Sequence, residues 1–102
     1  MSIAMHGYKG TRESLELVHM DDYPSWSTSN AARLLVHLGY TGDIWRAPVF
    51  SVEELREGIE NALVRVTSFP YVKGGYLDRR FKEMREHLKM LESAGARYVS
   101  FA

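Results

Sequence analysis

His19, Asp21 and Asp22 form the densest group of side chains in this sequence that can hold a proton or a metal ion. Imidazole and carboxylate groups at this spacing can ligate zinc, and a histidine beside a carboxylate can also serve acid–base catalysis. The other histidines belong to separate segments, so no second cluster has ligand spacing. We therefore predict a polar turn after a strand here, with a small enzyme or metal-binding protein as the alternative.

Other catalytic motifs are missing from the sequence. It contains no cysteine and no G-x-S-x-G nucleophile motif, and Ser27 and Ser51 are better placed as helix caps. The stretch KGGYLDRR (73–80) sets two glycines before a helix start, as an anion-binding loop does, but it lacks the G-x-x-x-x-G-K-[ST] pattern. We predict that the protein is not an enzyme and uses no cofactor or metal.

Aromatic and basic residues concentrate in the stretch FPYVKGGYLDRR (69–80). Tryptophan, tyrosine and arginine are the residue types that dominate protein–protein hot spots. Arg79 and Arg80 also occupy the first turn of a predicted helix, where the helix dipole disfavours cations. The i,i+4 pairs Asp78–Lys82, Arg79–Glu83 and Lys82–Glu86 are expected on the solvent-facing side of this helix. They account for Arg79 but leave Arg80 without a structural role, so binding is the hypothesis for this basic end. We expect a protein partner to contact Tyr71, Lys73, Tyr76, Arg79 and Arg80, followed in importance by Trp45.

Charge patterning gives the main alternative to a protein partner. Thirteen basic and thirteen acidic residues cancel, which argues against general attraction to a phosphate backbone. However, residues 53–60 carry a net charge of −3 and residues 73–89 a net charge of +3. A nucleic-acid-binding module would use the basic stretch, through Lys73, Arg79, Arg80, Lys82, Arg85 and Lys89.

The length and composition are those of one globular domain. The chain has 102 residues, of which 45% are hydrophobic and 12% aromatic. No apolar run approaches the roughly 20 residues that span a bilayer, and we see no signal peptide. We expect a cytoplasmic protein, the host cytoplasm if a phage encodes it, that is a monomer or homodimer and has no membrane partner.

The first half of the chain predicts one strand and one helix. Residues 1–13 lack a pattern and are expected to be loosely ordered, whereas LELVHM (15–20) alternates as a strand does. Ser27 or Thr28 then caps a helix that Gly39 ends, and Trp26 is expected to pack on the first turn as a hydrophobic staple. The apolar stripe of this helix consists of Ala31, Leu34, Leu35 and Leu38.

The second half predicts two more helices and a last strand. Ser51 and Glu54 form a capping box at the start of one helix. Apolar residues spaced 4-3-4-3 define another helix at about residues 77–94. Their predicted role is core packing, and contact with a second copy of the chain in a homodimer is the alternative. ARYVSF (96–101) alternates as a strand. We predict a single α+β domain in which about three helices cover one face of a two- or three-stranded sheet, with the two outer strands paired.

The segment WSTSNAARLL (26–35) resembles a motif, W-E-T-W-N-V-A-L-W-L, of small uncharacterised phage and mobile-element proteins. The matching residues are Trp26, Thr28, Asn30, Ala32 and Leu35, whereas Ser29 and Leu34 stand where the motif has tryptophan. The resemblance implies a phage-type accessory protein. Small phage proteins of this kind, such as anti-CRISPR and other host-defence inhibitors, commonly bind a host protein, so we expect inhibition or modulation of such a protein by steric occlusion.

Overall fold

The structure, a computed structural model, describes residues 2–67 and 75–102. Three helices pack on a five-stranded antiparallel sheet, which confirms the predicted α+β class. A 3-10 turn lies at Ile44–Arg46. The elements are β1 (Ser2–Thr11), β2 (Ser14–Leu17), β3 (Ser25–Ser27), α1 (Thr28–His37), β4 (Val49–Ser51), α2 (Val52–Thr67), α3 (Tyr76–Ser93) and β5 (Tyr98–Phe101).

β1 lies at the centre of the sheet and joins the two predicted strands. It pairs with β5 on one side and with β2 on the other, and β5 also pairs with β4, so the strand order is β2-β1-β5-β4. β3 pairs with the beginning of β1. The predicted direct pairing of the outer strands is therefore wrong, as is the two- or three-stranded sheet. The predicted loose order of residues 1–13 is also wrong, because Ser2–Thr11 form this central strand.

Gly7 explains why β1 was not predicted from the sequence. Ile3, Met5 and Gly7 all face the buried side of the strand, but a glycine breaks the apolar alternation that marks a strand. A Cβ atom at Gly7 would lie 2.7 Å from a side-chain methyl of Leu91 in α3. The glycine thus lets the helix approach the sheet closely, which is a common reason for glycine inside a strand.

The predicted helix ends are confirmed. Ser27 caps α1 by accepting a hydrogen bond at 3.3 Å from the backbone N–H three residues on, and Ser51 does the same at 3.1 Å for α2. Gly39 and Gly95 end their helices in the left-handed region, with φ of 90° and 100°. Trp26 precedes the cap of α1 and is buried, as the predicted staple requires.

The core lies between the helices and the covered face of the sheet. The 4-3-4-3 seam of α3 belongs to it, since Phe81, Met84, Leu88 and Leu91 are buried. Burial of each such side chain contributes about 1.5–3 kcal/mol. This seam is therefore occupied within the chain and is not available to a second copy. None of the three described helices combines the length and apolar character needed to cross a membrane.

Candidate functional site

The structure places the predicted partner-binding residues on two separate elements. Trp45 lies in the 3-10 turn between α1 and β4, whereas Tyr76, Arg79 and Arg80 belong to the beginning of α3. Trp45 keeps 60% of its surface exposed, and Tyr76 keeps 36%. The two remaining predicted residues, Tyr71 and Lys73, lie outside the described residues.

At the beginning of α3, Arg80 already has partners within the chain. Its guanidinium carbon lies 5.4 Å from the centre of the Tyr76 ring, and one of its nitrogens lies 3.4 Å from a carboxylate oxygen of Glu83. The sequence predicted that Glu83 pairs with Arg79, which is wrong. Arg80, for which the sequence offered no structural role, therefore has two, and a partner at this end of α3 would compete with both contacts.

The other described cations of α3, apart from the exposed Arg79, are also paired with carboxylates. Of the predicted i,i+4 pairs, Asp78–Lys82 is present, but Lys82–Glu86 is replaced by a pair between Glu86 and Lys89. Pairing of this kind leaves no open row of cations for a phosphate backbone on the described part of this helix. The three ion pairs are Lys82–Asp78 (3.2 Å), Arg85–Glu60 (3.3 Å) and Lys89–Glu86 (3.2 Å).

His19, Asp21 and Asp22 lie exposed in the segment between β2 and β3. Asp22 lines a shallow cleft against α3, together with Tyr23 and His87. Within residues 2–67 and 75–102, no three potential ligands come together in a way that could hold a metal ion. The described residues therefore do not build the metal centre that the spacing of His19 and the two aspartates allowed.

The segment that presents Trp45, residues 40–48, is fixed by its own hydrogen bonds, and we call it the Trp45 platform. The hydroxyl of Tyr40 donates to the backbone carbonyl oxygen of Asp43 at 2.7 Å. The Asp43 carboxylate in turn accepts the backbone N–H of Trp45 at 2.9 Å and so caps the 3-10 turn. A Cβ atom at Gly42 would lie 2.7 Å from the Tyr40 hydroxyl, so a side chain at this position would have to displace the tyrosine ring.

The end of the platform is attached to β5. The backbone N–H of Phe101 donates to the carbonyl oxygen of Pro48 at 3.2 Å, and the Ser100 hydroxyl donates to that of Ala47 at 3.4 Å. Ala47 adopts the left-handed region, with φ of 49° and ψ of 71°. This conformation costs a non-glycine residue about 1–3 kcal/mol and persists only where the surroundings enforce it. The 3-10 turn is thus held in a strained but well-anchored backbone.

The two tryptophans of the chain have opposite environments. Trp26 is 5% exposed and its ring centre lies 6.3 Å from that of Phe101 in the core, whereas Trp45 is 60% exposed. An indole left in water forgoes the stabilisation that burial of a large aromatic side chain provides. The exposure of Trp45 is therefore not explained by the stability of the fold, and contact with a partner would explain it.

A groove lies between α1 and the first half of the platform. Its walls are mainly apolar and include Ala32 and Val36 of α1 together with Tyr40 and Ile44 of the platform. Its volume is about 260 Å³, which is below the roughly 300–1,000 Å³ typical of pockets for small molecules. We call it the α1 groove; its size suits one large apolar side chain of a partner.

Val36 belongs to this site although it was not among the predicted residues. It is 63% exposed, because it lies off the apolar stripe that α1 turns towards the core. That position was a signal in the sequence: an apolar residue outside the stripe of an amphipathic helix must face solvent or a partner. Ile44 gave no comparable signal, because its orientation depends on the conformation of the platform.

Two exposed arginines are close in the chain to residues of the site. Arg33 of α1 and Arg46 of the platform are both exposed, and Asp43 is the one acid in residues 28–48. The pKa of His37, in the last turn of α1, is lowered by burial and further by the positive charges of Arg65 and Arg33. The side chain of Arg65 is directed at the backbone carbonyl oxygen of His37.

Comparison of the chain with protein-family models, with curated proteins and with solved structures gives no match.

Proposed function

We propose that this protein is a non-enzymatic protein-binding module and that Trp45 is its central contact residue. The observation that carries the proposal is an indole 60% exposed on a turn whose backbone is capped, crossed by a tyrosine and attached to the sheet. A preorganised anchor loses little conformational entropy when it binds, and tryptophan is among the commonest hot-spot residues. The proposal therefore puts Trp45 ahead of Tyr76, Arg79 and Arg80.

The charge distribution supports a protein rather than a nucleic acid as the partner. The chain is neutral, and four cations of α3, which a nucleic-acid-binding surface would need, are ion-paired: Arg80, Lys82, Arg85 and Lys89. Nucleic-acid binding gains much of its free energy from cations that are free to replace counterions on phosphates. The Trp45 platform instead combines one aromatic anchor with an apolar groove, as the cores of protein interfaces do.

The kind of partner follows from the resemblance of residues 26–35 to phage and mobile-element proteins. On that basis the proposal includes a phage-type accessory role, in which the protein covers a surface of a host protein, for example a component of host defence. The mechanism would be steric occlusion, and it requires no chemical step by this chain.

The test is affinity capture from a nuclease-treated lysate of the cell in which the protein acts, followed by quantitative mass spectrometry. We expect at least one protein to be retained by the wild type and lost with Trp45→Ala. The matched control is Val64→Ala, which shortens an apolar side chain of similar exposure, 69%, on α2. It should retain the same protein.

The proposal is wrong if every captured protein binds the Trp45→Ala variant as well as the wild type. Loss of capture with Tyr76→Ala/Arg80→Ala, without any loss for Trp45→Ala, would place the interface at the beginning of α3 instead. Capture of nucleic acid from untreated lysate, with no protein retained after nuclease treatment, would favour the nucleic-acid-binding alternative.

A further inference from the structure

We propose that the Trp45 platform and the α1 groove bind an acidic segment of the partner protein. An apolar side chain of that segment would enter the groove, the exposed Trp45 indole would contact the same segment, and its carboxylates would pair with Arg33 and Arg46. This inference rests on the proposed function and adds the chemistry of the partner to it.

The first argument is the state of the two arginines. Within residues 2–67 and 75–102, neither Arg33 nor Arg46 has a carboxylate within ion-pair distance. Most of the other described arginines form an ion pair or a hydrogen bond within the chain. Arg12, Arg56, Arg80 and Arg85 pair with glutamates, and Arg65 donates to a backbone carbonyl. The positive charge at the platform is thus left for a partner to compensate.

The second argument is where these charges lie. Arg46 directly follows Trp45, and Arg33 is one turn before Val36 on α1, so each cation is a neighbour of an exposed apolar side chain of the site. Asp43, the acid of the platform, uses one carboxylate oxygen to cap the 3-10 turn. Apolar contacts at the centre with charges at the rim are the usual organisation of a protein interface.

Two other unpaired arginines differ in their surroundings. Arg97 lines a depression together with Glu53 and Glu92, so carboxylates of the chain already lie near it. Arg79 lies in the first turns of α3, next to Arg80, whose charge is compensated by Glu83. Among the residues that the structure describes, Arg33 and Arg46 are therefore the pair that combines unpaired charge with an apolar groove.

The experiment selects peptides from a displayed library of random 12-residue sequences on the immobilised full-length protein. We expect the selected peptides to be enriched in aspartate and glutamate and to contain at least one large apolar residue. Affinities of two selected peptides are then measured by fluorescence anisotropy. Trp45→Ala should weaken binding by about 30-fold, as expected for a hot-spot residue, and Arg33→Glu/Arg46→Glu by about 10-fold or more.

The control variant Lys9→Glu/Arg97→Glu makes the same change in net charge on exposed residues that belong neither to the platform nor to α1. It should leave the affinities within about twofold because distant charges are screened. All substituted side chains are exposed, and equal far-UV circular dichroism and equal unfolding midpoints confirm that every variant is folded. A charge-reversed selection on Arg33→Glu/Arg46→Glu should enrich basic peptides instead.

Three results would overturn the inference. Peptides that need Trp45 but are neutral or basic, and are insensitive to Arg33→Glu/Arg46→Glu, would leave protein binding intact and remove the acidic partner. Selection that yields no Trp45-dependent peptide would remove the groove as a site for a segment, while the capture experiment would still decide the proposed function. Binding of oligo-dT that depends on Trp45 and both arginines would assign the platform to nucleic acid.

Discussion

The carboxylate of Asp43 accepts the backbone N–H of Trp45 at 2.9 Å, and this bond begins the 3-10 turn that holds the indole in solvent. Asp43, which fixes the turn, is thus a different residue from Trp45, which is the proposed contact residue. Rigidity and contact at this site can therefore be altered independently by substitution.

Asp43→Ala is expected to loosen the platform without removing the indole. Loss of a side-chain cap costs about 0.5–2 kcal/mol, and here the loss should act locally, because Asp43 is exposed and lies outside the core. We expect the ¹⁵N order parameter of the Trp45 amide to fall, while amides in α2 keep theirs. Asp43→Asn retains a capping oxygen and should behave as the wild type. Equal order in Asp43→Ala would show that the Tyr40 and β5 contacts hold the turn without the cap.

The contrast between the two tryptophans predicts separable fluorescence. Because Trp26 is buried and Trp45 is exposed, acrylamide should quench a large fraction of the wild-type emission. Trp45→Phe should remove most of this quenchable fraction and change the free energy of unfolding by less than about 0.5 kcal/mol, as is usual at the surface. Trp26→Phe should keep the quenchable fraction and lower the free energy of unfolding by about 1–3 kcal/mol. Emission that stays equally quenchable after Trp45→Phe would contradict the exposure of this indole.

Local sequence rules predicted the parts of the fold that depend on neighbours in the chain. The cap at Ser51 and the left-handed Gly39 at the end of α1 are local features, and both were predicted correctly. β1 was missed because Gly7 serves a contact with Leu91, which is 84 residues further on, and no local pattern contains that information. Asp78 was predicted to lie on the solvent-facing side of α3, but its side chain is buried.

The candidate site was predictable only in part. Residue type marked Trp45 as a contact residue. However, neither the exposure of Trp45 nor the α1 groove could be derived, because both depend on the path of residues 40–48 over the surface. Conversely, Arg80 was predicted to be available because its position conflicts with the helix dipole. In the structure Arg80 also contacts Tyr76 and Glu83, and its binding role stays a prediction.

His87 is expected to make the fold less stable in mild acid. Burial lowers its pKa below 6.5, and the opposing effect of Asp22 and Glu83 is smaller. The unfolded chain therefore binds this proton more tightly than the folded protein does, so the stability contribution is complete above about pH 6.5 and is lost as the pH falls towards the folded pKa. Urea unfolding between about pH 5 and 8 should show this loss for the wild type.

His87→Gln removes the titrating group and should flatten this pH dependence, although His37, whose pKa is lowered in the same direction, will leave a residual slope. The double variant His37→Gln/His87→Gln should remove that residual slope as well. A slope that is the same in His87→Gln and in the wild type would show that burial of this ring does not contribute to acid sensitivity.

Two ion pairs of α3 have the same length but different burial, and they should differ in their contribution to stability. Lys82 lies 3.2 Å from Asp78, whose side chain is 2% exposed, and Lys89 lies 3.2 Å from Glu86, whose side chain is 66% exposed. Asp78 also stands in the first turn of the helix, where a negative charge is favourable. The buried carboxylate should therefore matter more than its exposed counterpart.

Chemical denaturation of Asp78→Ala and Glu86→Ala measures this difference. We expect Asp78→Ala to lower the free energy of unfolding by about 1–3 kcal/mol, because it removes a buried side chain that is ion-paired with Lys82 and favourably placed in the first turn of the helix. Glu86→Ala should cost about 0–1 kcal/mol, as exposed pairs do. Asp78→Asn, which keeps the shape and removes the charge, separates the electrostatic part from the packing part. Equal costs for the two alanine variants would show that solvent screens the Asp78–Lys82 pair as fully as the exposed one.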